Sequence, residues 1–263
     1  MNNNETINSA YDARFSESLG GSEYEDLLLA LDFYNEFQAE TGKALQAYIA
    51  EHCQGLEQIK VLEAGPGTGI TTLELLKADP RVQVVSIDNE TKMLDAVRAR
   101  FDKIEDLKQR VDFVLADILQ YLESCDDESF DAFASVYTLH NFTPDFRRKV
   151  IELITRKLKS GGVFINGDKY ARKGEDHQQD YDAEIKNYGK FETVAVEAEK
   201  AGDSTRAEHF RTIREEWINH AGEDEKNKIT VDEQNEMFDQ LGFTDVEWMK
   251  RFDLVTTVKA IKK

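Results

Sequence analysis

Short apolar runs alternate with amphipathic stretches along most of this chain, and the alternation defines a fold class. Val61 to Glu63, Arg81 to Ile87, Val111 to Ala116, Phe130 to Val136 and Val163 to Ile165 are strand-length runs rich in β-branched and aromatic residues. Between them, Ile70–Lys77, Thr91–Phe101 and Asp145–Leu158 place apolar residues at helical spacing. Pro144 stands where a helix begins and its missing N–H is harmless. Strands alternating with helices predict a parallel, doubly wound α/β sheet over residues 56–170. Past this core, Ile229 to Leu241 reads as a helix stopped by Gly242, and Phe243–Met249 and Leu254–Ile261 alternate as two strands. The expected sheet has seven strands, mostly parallel with the last antiparallel, and residues 229–263 complete it.

Two segments lie outside that rhythm. In residues 1–55, Leu27, Leu31 and Tyr34 share a helical face between Tyr24 and Phe37. Thr41-Gly42 predicts a break before Leu45, Tyr48 and Ile49 resume the pattern. This N-terminal cap is expected to cover the mouth of the sheet. Residues 171–228 form a charged insertion, with Ile185, Tyr188, Val194 and Ala198, then Phe210, Ile213 and Trp217, at helical spacing. Two or three helices are predicted, broken near Gly202-Asp203 and Gly222. A segment of this length serves either as a lid or as a homodimer contact.

Composition narrows the classes of partner. The 263 residues carry 33 basic and 52 acidic side chains, a net charge of −19. Such a surface repels phosphate backbones, so nucleic acid is a disfavoured substrate and a small-molecule acceptor is expected. No run approaches the roughly eighteen apolar residues of a membrane span. Cys53 and Cys125 have no metal-ligand spacing, which fits inert thiols in a reducing, cytoplasmic setting.

The candidate chemistry begins at Glu63-Ala64-Gly65-Pro66-Gly67-Thr68-Gly69. Glycines at alternate positions allow a tight turn and close approach of backbone to ligand. The spacing differs from the G-x-G-x-x-G of dinucleotide enzymes, since position 70 is Ile, which argues against a dehydrogenase. Asp88, with Asn89 beside it, ends the second run about twenty residues past the turn, where a carboxylate meets ribose hydroxyls. Asp117-Ile118 ends the third run. With Leu158-Lys159-Ser160-Gly161-Gly162 before the fifth, the series resembles the class I S-adenosylmethionine-dependent methyltransferases over roughly residues 55–170. The resemblance implies S-adenosylmethionine as cofactor and S-adenosylhomocysteine as product. Glu63 would take the amino group, Gly65 and Gly67 would admit the methionine portion, and Asp88 would hold the ribose. Asp117 would reach the adenine amino group, with Ile118 and Met93 against the ring.

Methyl transfer needs alignment and exclusion of water more than special side chains. After the fourth run, Tyr137, His140 and Asn141 stand where the reactive methyl is expected, and histidine is the residue type suited to take a proton near neutral pH. Tyr137 and His140 are the catalytic candidates. Asp168 and Lys169 end the fifth run and face the same rim. No Asn-Pro-Pro-Tyr-like sequence follows strand four, unlike the amino-methyltransferases of adenine and glutamine. Tyr11 and Arg14 are candidates to reach the ligand from the cap. Asp176, His177 and Asp180 read as a solvated helix face, and no metal is expected. Thr138-Leu139-His140-Asn141-Phe142 and Gly167-Asp168-Lys169-Tyr170 also resemble the carboxy-S-adenosylmethionine synthases of tRNA wobble modification. Those enzymes hold a carboxylate with an Arg-Ala-Asn-Gly-Tyr-like segment; here Lys186-Asn187-Tyr188-Gly189 stands instead. A third reading is a cofactor-binding regulatory or scaffold protein without turnover.

Overall fold

A computed structural model describes residues 26–172, 176–224 and 227–263. The cap contributes α1 (Leu27–Ala30) and α2 (Tyr34–His52). Then come β1 (Ile59–Ala64), α3 (Ile70–Ala78), β2 (Val82–Asp88), α4 (Thr91–Phe101), α5 (Glu105–Lys108) and β3 (Val111–Leu115). The second half of the core is α6 (Ile118–Ser124), β4 (Phe130–Val136), α7 (Pro144–Lys157) and β5 (Leu158–Lys169). The insertion is α8 (Asp176–Tyr188), α9 (Lys190–Lys200) and α10 (Ser204–Asp224), and the chain closes with α11 (Val231–Leu241), β6 (Phe243–Trp248) and β7 (Val255–Lys262).

The seven strands lie in the order β3-β2-β1-β4-β5-β7-β6. Strands β1 to β5 are parallel, and β7 runs antiparallel between β5 and β6. The chain reverses its direction of travel across the sheet between β1 and β4, the switch point where open α/β sheets bind ligands at their carboxyl ends. Strand β4, central in the sheet, is buried at every residue, because helices cover both faces. On one face, Leu62, Phe133, Phe164 and Val258 pack against α6, α7 and α11. On the other, Val61, Ala132, Ile165 and Ile261 pack against α2, α3 and α4. A third core joins the cap to the insertion over the end of β4, with Tyr34 and Phe37 beside Tyr137, Tyr188, Phe191 and Trp217.

Two expected breaks are absent, each for a physical reason. Helix α2 runs straight through Thr41-Gly42. Gly42 is where α2 crosses α3: a Cβ there would stand 2.8 Å from the Glu74 carbonyl oxygen. The glycine permits close packing between helices and does not interrupt one. The cap breaks earlier, between Ala30 and Tyr34. Helix α10 likewise continues past Gly222 to Asp224, while the break at Gly202-Asp203 stands. The cap residues Tyr11, Arg14 and Tyr24, and the side chains of Asp176 and His177, lie outside the described residues.

Candidate active site

The turn after β1 is built by backbone geometry. Gly65 and Gly67 have φ of 67° and 53°, in the left-handed region that L side chains avoid. A Cβ on Gly65 would also run into the side chain of Thr138, so only glycine fits. Thr138 Oγ1 donates to the carbonyl oxygens of Ala64 (3.2 Å) and Val136 (3.1 Å), which pins the ends of β1 and β4 together. The sequence marked Thr138 only as part of a family-like motif; the role of its hydroxyl emerges once β1 and β4 are neighbours.

Glu63, the penultimate residue of β1, is fully buried. Its Oε2 accepts from the hydroxyls of Thr72 and Ser86, both at 2.7 Å. Its Oε1 has no hydrogen-bond partner among the described residues. Burial pushes the carboxyl up to about 7 against the pull of those two hydroxyls, and the nearby charge of Asp88 pushes the same way. At the end of β2, Asp88 Oδ1 accepts the Glu90 N–H at 2.9 Å. Burial raises Asp88 to about 6, opposed by backbone N–H groups of Glu90, Asn89 and Gly67. Asp88 thereby ties the end of β2 to the glycine turn. Asn89 is exposed, and Met93 is buried on the first turn of α4. Asp117 caps α6 by accepting the Gln120 N–H at 3.1 Å, with Ile118 buried behind it. Acids therefore stand at or just past the ends of three adjacent strands.

Beyond the switch point the chemistry changes. Tyr137 holds φ of 54°, an uncommon conformation for a non-glycine residue. That backbone turns its ring into the third core, stacked on Tyr34 (centroids 6.2 Å) and edge-on to Phe37 (5.0 Å). Tyr137 is thus a wall joining cap and sheet. His140, in the short turn Leu139–Asn141 that follows, is buried. Its Nδ1 lies 2.6 Å from Asp168 Oδ1, and its backbone N–H donates to Asp168 Oδ2 at 3.0 Å. Burial pushes the Asp168 carboxyl up, but His140 and the Arg147 charge outweigh it and hold the group below the ordinary carboxylate range. Arg147 in turn donates to the carbonyls of Leu139 (2.9 Å) and Asn227 (2.7 Å). An ionised partner on Nδ1 assigns the Nδ1–H tautomer and makes Nε2 the basic nitrogen. Sequence reading placed Asp168 on the rim; its pairing with His140 depends on the β4–β5 register.

These features define a cofactor-binding α/β domain. The glycine cradle, the buried orphan oxygen of Glu63 and the strand-end acids suit a ligand with an ammonium, a ribose and an adenine. Residues 61–162 match the family described as a methyltransferase domain. Over these residues the chain is similar to the S-adenosylmethionine-dependent methyltransferases, a family whose cofactor is S-adenosylmethionine. It is similar to the carboxy-S-adenosyl-L-methionine synthase of Campylobacter lari, 30% identical over 116 residues covering 43% of this chain and 45% of that protein. The corresponding synthase of Nautilia profundicola is 28% identical over 113 residues, with coverage of 43% and 45%. The chain therefore spans less than half the length of these two relatives. Among solved structures, the DszA carbon methyltransferase superposes with a TM-score of 0.57 at 17% identity, covering 88% of this chain and 54% of that one. An S-adenosylmethionine-dependent methyltransferase from Aquifex aeolicus gives 0.54 at 14% identity, covering 94% and 100%. An O-methyltransferase family protein from Burkholderia thailandensis gives 0.54 at 14%, covering 88% and 59%. At these identities the superpositions speak for the fold alone. Among the described residues, no helix is long and apolar enough to cross a membrane.

Proposed function

We propose that this protein transfers the methyl group of S-adenosylmethionine to an oxygen or nitrogen of a small molecule, with His140 as general base. The observation that carries this reading is the buried His140–Asp168 pair at the ends of β4 and β5, on the side of β1 opposite β2 and β3. The cofactor supplies an electrophilic sulfonium methyl, so the protein's task is to align the acceptor and remove its proton. Glu63 and Asp88 give the site negative charge for a cationic ligand. His140 Nε2 takes the acceptor proton, and Asp168 stabilises the imidazolium that results. Tyr34, Phe37 and Tyr137 close the cap over the sheet and exclude water from it. The strongly acidic surface supports a small-molecule acceptor over nucleic acid. The insertion serves as a lid, or as a homodimer contact that braces it.

The test is release of S-adenosylhomocysteine from labelled S-adenosylmethionine with a panel of phenols, amines and carboxylates, in wild type and His140→Gln. Turnover with an O or N acceptor, reduced in the variant while cofactor affinity holds, supports the proposal. Cofactor binding without turnover on any acceptor would instead favour a scaffold role. A second reading comes from the two sequence relatives: an enzyme that modifies the cofactor itself, as their names describe. Mass spectrometry of the cofactor pool after incubation separates the two, since that reading requires a cofactor heavier by a carboxyl group.

A further inference from the structure

Behind the His140–Asp168 pair lies a further polar group inside the core. Asn166 stands two residues before Asp168 on β5, so both side chains lie on the same face of the sheet. Asn166, Asp168 and Tyr170 are buried, at 2%, 2% and 1% exposure. Asn166 Nδ2 donates to the Tyr170 hydroxyl oxygen at 2.8 Å and lies 3.4 Å from Asp168 Oδ2. Each oxygen of the Asp168 carboxylate therefore has two contacts. Oδ1 faces His140 Nδ1 and accepts the Lys169 N–H at 2.9 Å. Oδ2 accepts the His140 N–H and meets the Asn166 amide. The terminal torsion of an aspartate is soft, so its carboxylate keeps one plane only when both oxygens are held.

The orientation of that amide has a cost that packing does not explain. Asn166 Oδ1 is buried without a hydrogen-bond partner, and so is Oγ of Ser135, the residue paired with it on β4. Buried polar atoms are nearly always paired. Between Phe133 and Phe164, a leucine would serve packing and leave no orphan. Turning the amide over would set its oxygen against the Asp168 carboxylate, so the charge of Asp168 fixes which way it faces. Tyr170 fixes where it sits. Its ring stands edge-on to Trp248 with centroids 4.8 Å apart, and Trp248 Nε1 donates to Asn235 at 2.9 Å. Burial, with the charge of Asp168, pushes the phenol well above its ordinary range, so it stays a neutral acceptor for the amide.

Resting on the methyl-transfer reading, we infer that Asn166 and Tyr170 are positioning residues for the base: Tyr170 aims the Asn166 amide at Asp168 Oδ2, and that contact keeps Oδ1 on His140 Nδ1. The imidazole is thereby held in the Nδ1–H tautomer, with Nε2 left to take the proton. Both residues act through Asp168, from inside the core.

The test is heteronuclear NMR of protein labelled at histidine, with the His140 signals assigned by their loss in His140→Gln. The wild type should show the Nδ1–H tautomer with a strongly downfield Nδ1 proton; a wild type in the Nε2–H form overturns the inference outright. Asn166→Leu should populate the Nε2–H tautomer and, with a working acceptor, lower kcat about tenfold while S-adenosylhomocysteine affinity stays within about twofold. Tyr170→Phe should shift the tautomer the same way by less, and not at all in the Asn166→Leu background, because it acts through the amide. The double variant replaces both polar partners by apolar groups of similar size and should keep its thermal stability. A merely structural layer gives the reverse pattern, lost thermal stability with the His140 tautomer unchanged, and that overturns the inference. If Asn166→Leu does not fold, an unchanged tautomer in Tyr170→Phe overturns it alone. Failure of the wild type to turn over any acceptor strikes the methyl-transfer reading, while the tautomer comparison still decides the positioning.

Discussion

Glu63→Gln isolates the electrostatics of the cofactor site. Burial raises the wild-type carboxyl to about 7 in the folded protein, against an ordinary value of 4.5. Between those values the folded state holds a proton that the unfolded state has released. Stability therefore falls as pH rises through this window, the opposite of an ion-paired carboxylate. A displacement of that size corresponds to roughly 3 kcal/mol in all, of which about 2 kcal/mol develops between pH 5.5 and pH 8.5. Glutamine keeps the shape, and its carbonyl oxygen accepts from Thr72 and Ser86 as Oε2 does. Its amide NH₂ then takes the place of the orphan Oε1, an unsatisfied donor costing about 1–2 kcal/mol at every pH.

Urea denaturation of both proteins at the two pH values should show the wild type losing about 2 kcal/mol more than the variant on going to pH 8.5. Taking the difference cancels the other titrating groups, apart from their coupling to Glu63. The same ionisation serves binding: wild-type affinity for S-adenosylhomocysteine, whose amino group is cationic, should rise across this range, while the variant binds about tenfold more weakly at pH 8.5 and shows a shallower rise. Identical pH dependence of stability in the two proteins would refute the assignment of a raised carboxyl to Glu63. A lost stability slope with unchanged affinity would refute its role toward the ammonium.

Three further outcomes are expected. Asp88→Ala should weaken S-adenosylhomocysteine binding about 30-fold or more in calorimetry, since two hydroxyls lose a charged acceptor and the glycine turn loses its tie to β2. With a working acceptor, His140→Gln should lower kcat by about 10²–10⁴-fold with cofactor affinity unchanged, and Asp168→Asn should distort the pH–rate profile by disturbing the imidazole's tautomer. Gly65→Ala should cost about 1–3 kcal/mol in chemical denaturation, from backbone strain at a φ of 67° and the collision with Thr138.

What was legible in the sequence follows from the range of the interactions involved. Strand β4 and helix α4 have the bounds their patterns predicted, because a fully buried strand and an amphipathic helix write their environment into consecutive residues. Gly42 misled because its reason is Glu74 on another helix, and a glycine that admits a neighbour looks the same as one that ends a helix. Strand-end acids were visible for a similar local reason: an apolar run that stops at a carboxylate marks the edge of a buried sheet. Glu63 nevertheless held a surprise. Its depth, and so its raised carboxyl, comes from α3 and β2 closing over it through Thr72 and Ser86.

The parts of the site least visible in the sequence are those that depend on register and crossing. Asp168 reaches His140 because Val136 pairs with Gly167, which sets the end of β5 beside the turn that follows β4. Glu184 gathers Lys169 and Lys228 from a strand end and a link that only the helical insertion brings together. This division carries a functional consequence. The cofactor half rests on β1, β2 and the turns beside them, where local geometry suffices and one family pattern recurs. On the proposed reading, the acceptor half is assembled by the cap, the insertion and the β4–β5 edge, elements largely outside residues 61–162. On that reading, acceptor specificity should therefore follow substitutions in the cap and the insertion while cofactor affinity stays fixed.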